Sequence, residues 1–239
     1  MAKFELLIKH VKTWEGSHGA DPRDNALKSG HSGVLGKEIN PRTKKPYDAK
    51  FPNNFIHTSS GITWSTYILY CKEKKKAPSS SEFLQMNVNI WNDIYKTLFW
   101  DKILGDKINS QGIAENLVEA RFVGGSQSLI RDLIKYMNIT YNLKLSMVNY
   151  VSMPLVNALN KYIITQSRYK KVLDYLYNSR LNYYKSLNDW KVYGKGWTNR
   201  LNSLYERSIK YPPTGGNILN LPNIIQYFKI FGLGAVFFF

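Results

Sequence analysis

The chain has 239 residues, 44% hydrophobic and 21% charged, and a single cysteine, Cys71. That balance excludes wholesale disorder, allows a sizeable core, and rules out an intramolecular disulfide framework. The formal net charge of +16 is uneven, with 17 basic and 13 acidic residues over 1–119 (net +4) but 16 and 4 over 120–239 (net +12), so the C-terminal half is the one drawn to a polyanion: nucleic acid, anionic lipid or bacterial wall.

Phe4, Leu7, Ile8, Val11 and Trp14 recur at helical spacing and predict a first helix. Lys3, Glu5 and Lys9 interrupt any apolar stretch there, so no secretory signal is read and the protein is expected to be made in the cytoplasm. Residues 16–57 are rich in Gly, Pro, Asn and Lys and predict a long irregular lobe, possessing at most short strands. Helical patterning resumes after Thr63 through Trp64, Tyr67, Ile68 and Tyr70, then breaks at residues 72–76 and Pro78. Ser79-Ser80-Ser81-Glu82 reads as a helix start, with one apolar-periodic segment over 83–99. Ile113, Leu117 and Val118 mark a further helix, and Leu129, Ile130, Leu133 and Ile134 another.

Residues 138–152 read as a boundary zone, followed by helices near 154–165, 168–188 and 197–210. Pro212-Pro213-Thr214-Gly215-Gly216 is a linker. Residues 230–239 are uncharged and apolar, yet shorter than the roughly 20 residues of a membrane-spanning helix. This tail is a candidate membrane contact. The expectation is a mainly α protein with an irregular insertion after its first helix and a helical C-terminal region. Its expected units are residues 1–138, 139–211, and a linker and tail over 212–239.

Glu15 carries the chemical expectation. It follows the first helix at the spacing of Ile8 and Val11, beside Trp14, and Gly16 comes next. Cleavage of a glycosidic bond needs a protonated acid for the leaving oxygen and a base or nucleophile on the other face of the sugar. Desolvation against apolar groups raises a carboxyl pKa and keeps such an acid protonated. Asp21-Pro22-Arg23-Asp24 supplies candidate second carboxylates, although an Asp in that setting also serves turn chemistry. Thr58 could position a water or simply enter the next helix, and His57 is an alternative helper.

In order and spacing, these pieces resemble glycoside hydrolase family 108, a group of bacterial and phage lysozymes. The carriers are Trp14-Glu15-Gly16, Asp21-Pro22-Arg23-Asp24 and Thr58-Ser59-Ser60-Gly61-Ile62-Thr63. Ile94-Tyr95-Lys96, Phe99-Trp100-Asp101 and Ile108-Asn109-Ser110-Gln111-Gly112-Ile113-Ala114 continue the match, which covers residues 4–130. The later part resembles the peptidoglycan-binding domain that accompanies this family, through Ala158-Leu159-Asn160, Arg180, Tyr183-Tyr184 and Gly196-Trp197-Thr198-Asn199-Arg200-Leu201. Ser17 replaces a usual glycine, an insertion lies near 27–51, and an asparagine expected near 119–125 is missing.

The resemblance implies a lysozyme-like helical domain over 1–138 and a peptidoglycan-binding-like region over 139–211. It implies a muramidase cutting the β-1,4 bond between N-acetylmuramic acid and N-acetylglucosamine, with Glu15 as general acid. Asp24 would orient or deprotonate water, with Thr58 assisting. Tyr184, Trp197 and Arg200 would bind substrate. No cofactor or metal is expected. The partners expected are peptidoglycan, the membrane through residues 230–239, and phage virion components. The protein would act on the cell wall, reaching it through a pore, membrane damage or virion packaging.

Two readings compete. One is a non-catalytic wall-binding or phage structural protein with a lysozyme-like fold. The weaker one is a nucleic-acid binder, since the basic and aromatic side chains interleaved over 180–200 suit single strands as well as glycans. No helix-turn-helix or RNA-recognition signature supports it, so no specific nucleic acid is expected.

Overall fold

The computed structural model describes residues 1–16, 18–19, 34–35 and 55–211. Helix α1 (Phe4–Lys12) buries Phe4, Leu7, Ile8 and Val11, positions three or four apart that share one face. Its start is held by another helix. The Lys3 N–H donates to Gln111 Oε1 at 2.7 Å, and Gln111 Nε2 donates to the Lys3 carbonyl at 3.0 Å. Two turns of backbone, Thr13 N–H to His10 O and Trp14 N–H to Val11 O, close the helix and deliver Glu15 beyond its end.

Among the described residues, the lobe and the return from it contribute five two-residue strands. Strands β1 (His18–Gly19), β4 (Thr58–Ser59) and β5 (Ile62–Thr63) form an antiparallel sheet in the order β1-β4-β5, while β2 (Val34–Leu35) pairs with β3 (Phe55–Ile56). Thr58 opposes Thr63, and Ser59 opposes Ile62, which leaves Ser60 and Gly61 as a two-residue turn. Both have positive φ, 49° and 79°, as a type I′ hairpin turn requires.

Thr63 then caps α2 (Trp64–Glu73), its hydroxyl accepting the Thr66 N–H. Ser79 caps α3 (Ser80–Leu84) in the same way. The sequence predicts one continuous segment over 83–99, and the structure divides it. Asn87 Oδ1 accepts the N–H groups of Asn89 and Ile90 at 2.9 and 3.0 Å, so a new helix, α4 (Val88–Tyr95), starts there. A π turn (Lys96–Trp100) and two 3₁₀ turns (Asp101–Ile103, Gly105–Lys107) extend it.

Helix α5 (Gln111–Val123) is the centre of the molecule. Every residue from Gln111 to Ala120 is buried, and an all-round buried helix needs neighbours on each side. Those neighbours include α6 (Ser126–Tyr141), α8 (Gln166–Ser186) and α9 (Trp190–Ile209), with α7 (Met153–Tyr162) against α6. Helices α8 and α9, joined by a short connection, pair as a hairpin. Helix α9 begins at Trp190, about two turns before the expected 197.

The fold is thus mainly α and lysozyme-like, with its small strands confined to the lobe after α1. One contiguous hydrophobic cluster runs from Ala2 to Leu176 and includes residues of α1 through α8. The expected boundary at 138 falls inside α6. Among the described residues no helix is long and apolar enough to cross a membrane. Residues 230–239 lie outside the described residues, as does Asp24.

Candidate active site

Glu15 lies past the end of α1, and its burial comes from other elements. The sequence attributes that burial to the apolar stripe of its own helix. The structure attributes it to the β4–β5 turn and to α9, which leave its side chain 11% exposed. A Cβ added at Gly61 would lie 1.9 Å from Glu15 Oε2, so only a glycine lets this turn close over the carboxylate. Gly61 also has the positive φ that L side chains rarely adopt.

From the opposite end of the chain, Arg200 on α9 places Nη1 2.7 Å from Glu15 Oε1. The contact is ionic and off the line of a good hydrogen bond, and Oε1 is otherwise sealed from solvent. The Nε of the same guanidinium donates to Glu119 Oε1 on α5. Arg200 and Glu119 are themselves buried, with side chains 14% and 6% exposed. One turn before Glu119, the fully buried Glu115 accepts from Arg207 Nε at 2.9 Å and from Gln111 Nε2 at 2.8 Å. Two carboxylates of α5 therefore meet two arginines of α9.

Helix α9 reaches α5 this closely because of Gly112. A Cβ there would lie 2.1 Å from the Tyr169 hydroxyl and 2.8 Å from Ser208 Cβ. Asn116 Nδ2 bridges the Gly112 carbonyl and Ser208 Oγ at 2.8 and 3.0 Å, and the Tyr169 hydroxyl donates to the Ser208 carbonyl at 2.7 Å.

The electrostatics follow from this packing. Burial raises the Glu15 pKa above its usual 4.5, Arg200 pulls it down, and the charge of Glu119 pushes it up again. Burial wins, so the carboxyl holds its proton more firmly than an exposed glutamic acid. Burial alone would lower the Arg200 pKa, but Glu119 and Glu15 outweigh it and the guanidinium stays charged. Burial also raises the enclosed Tyr95 hydroxyl and lowers His10 on α1.

Glu15 opens on a cleft of about 300 Å³ lined by Lys12, Gly16, Ser60, Met86, Asn87, Val88 and Trp91. Trp91 Nε1 donates to the Ser60 carbonyl at 2.8 Å, fixing the indole against the hairpin turn. Lys12 Nζ lies 5.0 Å from the centre of that ring. The cleft therefore has an acid at one end, amide and hydroxyl groups at its edge, and an apolar floor. Among the described residues no cluster of His, Cys, Asp or Glu could hold a metal.

The other expected site residues are distributed differently. Thr58 sits in β4, its hydroxyl 2.7 Å from His57 Nδ1, and it is not among the residues lining the cleft. His57 is buried, with Nε2 unpartnered. Tyr184, expected to bind substrate, is 4% exposed; its hydroxyl accepts from Arg180 Nη2 and its ring lies 5.5 Å from that of Trp197. It offers solvent no face for stacking. Trp197 is half-buried in the same aromatic cluster. Arg200, expected on a separate binding surface, faces Glu15 instead. Sequence reasoning passed over Glu115 and Glu119, although two acids in an otherwise apolar helical run are a signal of buried pairing. Trp91, read from the sequence as one of the apolar-periodic residues, is a core residue in the structure, 3% exposed.

Comparison with known proteins adds the family. The sequence model for Glycosyl hydrolase 108 matches residues 8–125. That segment is a glycosyl hydrolase 108 domain, and the chain is a glycoside hydrolase. Its fold is similar to the solved structure of SagA from Brucella abortus, at 17% identity and a TM-score of 0.59, covering 87% of this chain and 94% of that one. No curated protein matches it.

Proposed function

We propose that this glycoside hydrolase cleaves peptidoglycan as a muramidase, at the β-1,4 bond between N-acetylmuramic acid and N-acetylglucosamine, with Glu15 as the general acid. The observation that carries the reading is the placement of Glu15. It is the carboxyl at the mouth of the cleft, and burial holds its pKa up despite an arginine at 2.7 Å. A general acid must arrive protonated, and burial at this position favours the protonated form. The family match supports the reaction class.

In this reading a sugar ring lies along the cleft beside the turn at Ser60 and Gly61, and the glycosidic oxygen takes its proton from Glu15. Asp24 is the candidate to activate water on the other sugar face, with Thr58 assisting. Inversion would need the two carboxyls about 6.5–9.5 Å apart. The net +16 charge favours approach to an anionic wall. Phage or bacterial wall lysis is the setting that these features suit.

The test is digestion of purified peptidoglycan by the protein and by Glu15→Gln, with fragments analysed by mass spectrometry. New reducing ends on N-acetylmuramic acid are expected from the wild type, and none from the variant. Ends on N-acetylglucosamine would make it a glucosaminidase, and anhydro ends a lytic transglycosylase. Equal activity of the variant would remove Glu15 from its role.

A further inference from the structure

We propose that Arg200 and Glu119 are positioning residues for Glu15: Glu119 holds the guanidinium so that Glu15 receives one arm of it instead of the whole fork. This rests on the reading of Glu15 as the acid. A guanidinium normally meets a carboxylate through two parallel N–H groups. Here the fork is divided. Nε serves Glu119, Nη1 touches Glu15 at 2.7 Å, and Nη2 is buried with no hydrogen-bond partner.

The division has a chemical consequence. A fork seated squarely on Glu15 would stabilise the carboxylate, and a carboxylate cannot donate a proton. Complete loss of the cation would leave two buried carboxyls side by side with nothing to orient them. One cation held between two carboxyls keeps Glu15 in place and still leaves the pair short of positive charge. The protonated state of Glu15 relieves that shortage.

Other groups face this cluster. Tyr95 interacts with Glu119, Arg200 and Glu15, and His10 on α1 with Glu119, Arg200 and Arg207. Tyr184, paired with Arg180 on α8, faces Glu119 and Arg200. Glu115 is already matched by Arg207, and Lys12 borders the cleft. Of these, the divided guanidinium is the group in direct contact with both carboxyls.

Arg200 lies beyond residue 125, where the family match ends. The environment of the acid is therefore completed by α9, whose docking depends on Gly112 and Ser208. The C-terminal helices serve the chemistry as part of the active site.

The experiment is a carbon NMR titration of the Glu15 carboxyl in the full chain, alongside the pH profile of peptidoglycan solubilisation. In Glu119→Gln the whole guanidinium turns to Glu15, and its titration midpoint falls by about one pH unit or more. In Arg200→Gln the midpoint rises by a similar amount. The alkaline limb of activity follows in each case, in opposite directions. A purely structural role would lower activity in both without moving the midpoints apart. An unchanged Glu15 midpoint, or movement in the same direction in both variants, would overturn the proposal. If Arg200→Gln does not fold, Glu119→Gln decides alone: a lower midpoint supports the proposal, and an equal or higher one overturns it. Opposite movement with full activity in Glu15→Gln would preserve the coupling and remove the acid assignment.

Discussion

Two regions of this molecule use the same ion-pair chemistry to different ends. Along α2 to α4 and the turns that follow, Lys74 pairs with Asp93, Lys76 with Glu82 and Lys102 with Glu73, all at side chains 30–48% exposed. In the other region, the arginines of α9 pair with Glu15 and with two acids of α5, carboxylates at 0–11% exposure. Glu82 and Asp93 move one way and Glu15 the other. Hydrogen bonds from Lys76 and Tyr67 hold Glu82 below its usual value. Burial pushes Asp93 up, but Lys74 and Tyr70 outweigh it and the net movement is down. At Glu15 burial prevails, although its arginine at 2.7 Å is closer than Lys74 is to Asp93 at 2.9 Å. A nearby cation does not by itself decide the protonation of a carboxyl; the water left around it does.

The largest expected effect that would break or sharpen this contrast is in Glu15→Gln. It should lose about 10²–10⁴-fold in peptidoglycan turnover, the range that proton donation contributes, as read by release of soluble fragments. Next comes Arg207→Ala, which leaves the wholly buried Glu115 without its cation. A loss of about 3–5 kcal/mol in urea unfolding is expected, and a loss under 1 kcal/mol would mean that the α5–α9 cluster behaves like the surface pairs.

Gly61→Ala brings a Cβ into the space held by Glu15 Oε2 and strains a φ of 79°. Misplacing the acid by about 1 Å should cost on the order of 10²-fold in turnover, with far less effect on substrate binding, and kinetics on a soluble glycan fragment would separate the two. A pH series of unfolding curves checks the direction at Glu15. Its folded pKa is raised, so the folded state holds the proton more tightly than the unfolded chain. The wild type therefore loses stability as pH rises from the usual value of 4.5 through the folded value. Glu15→Gln has no such slope, so its stability relative to wild type should grow across that window and level off above it. The smallest effect is Lys102→Ala, expected within about 0–1 kcal/mol in the same assay, because both partners of its 3.2 Å pair with Glu73 are well solvated.

Much of the site's first half is legible in the sequence, for local reasons. Trp14-Glu15-Gly16 and Ser60-Gly61-Ile62-Thr63 are short segments whose residue types already mark a helix exit and the return into the next helix, while the hairpin turn at Ser60 and Gly61 emerges from the structure. The second half joins residues far apart in the chain. Glu119 and Arg200 are 81 positions apart, and nothing local indicates that an arginine of α9 ends against a residue just past α1. Tyr184 shows the same limit. A tyrosine in a basic, aromatic-rich stretch suits a sugar platform, yet its ring is packed between Tyr183, Trp197 and Arg180.

By itself the sequence determined the helical class, the approximate starts of α2 after Thr63 and of α3 within residues 79–82, and Glu15 as the carboxyl to watch. Periodicity, capping and turn chemistry act over a few residues, so they can be read from a string. Only the tertiary structure decided that Asn87 splits the 83–99 segment, that α9 docks on α5 at Gly112, and that Arg200 is divided between Glu15 and Glu119. Burial and charge pairing are properties of the space between helices, and that space exists only once the chain has packed.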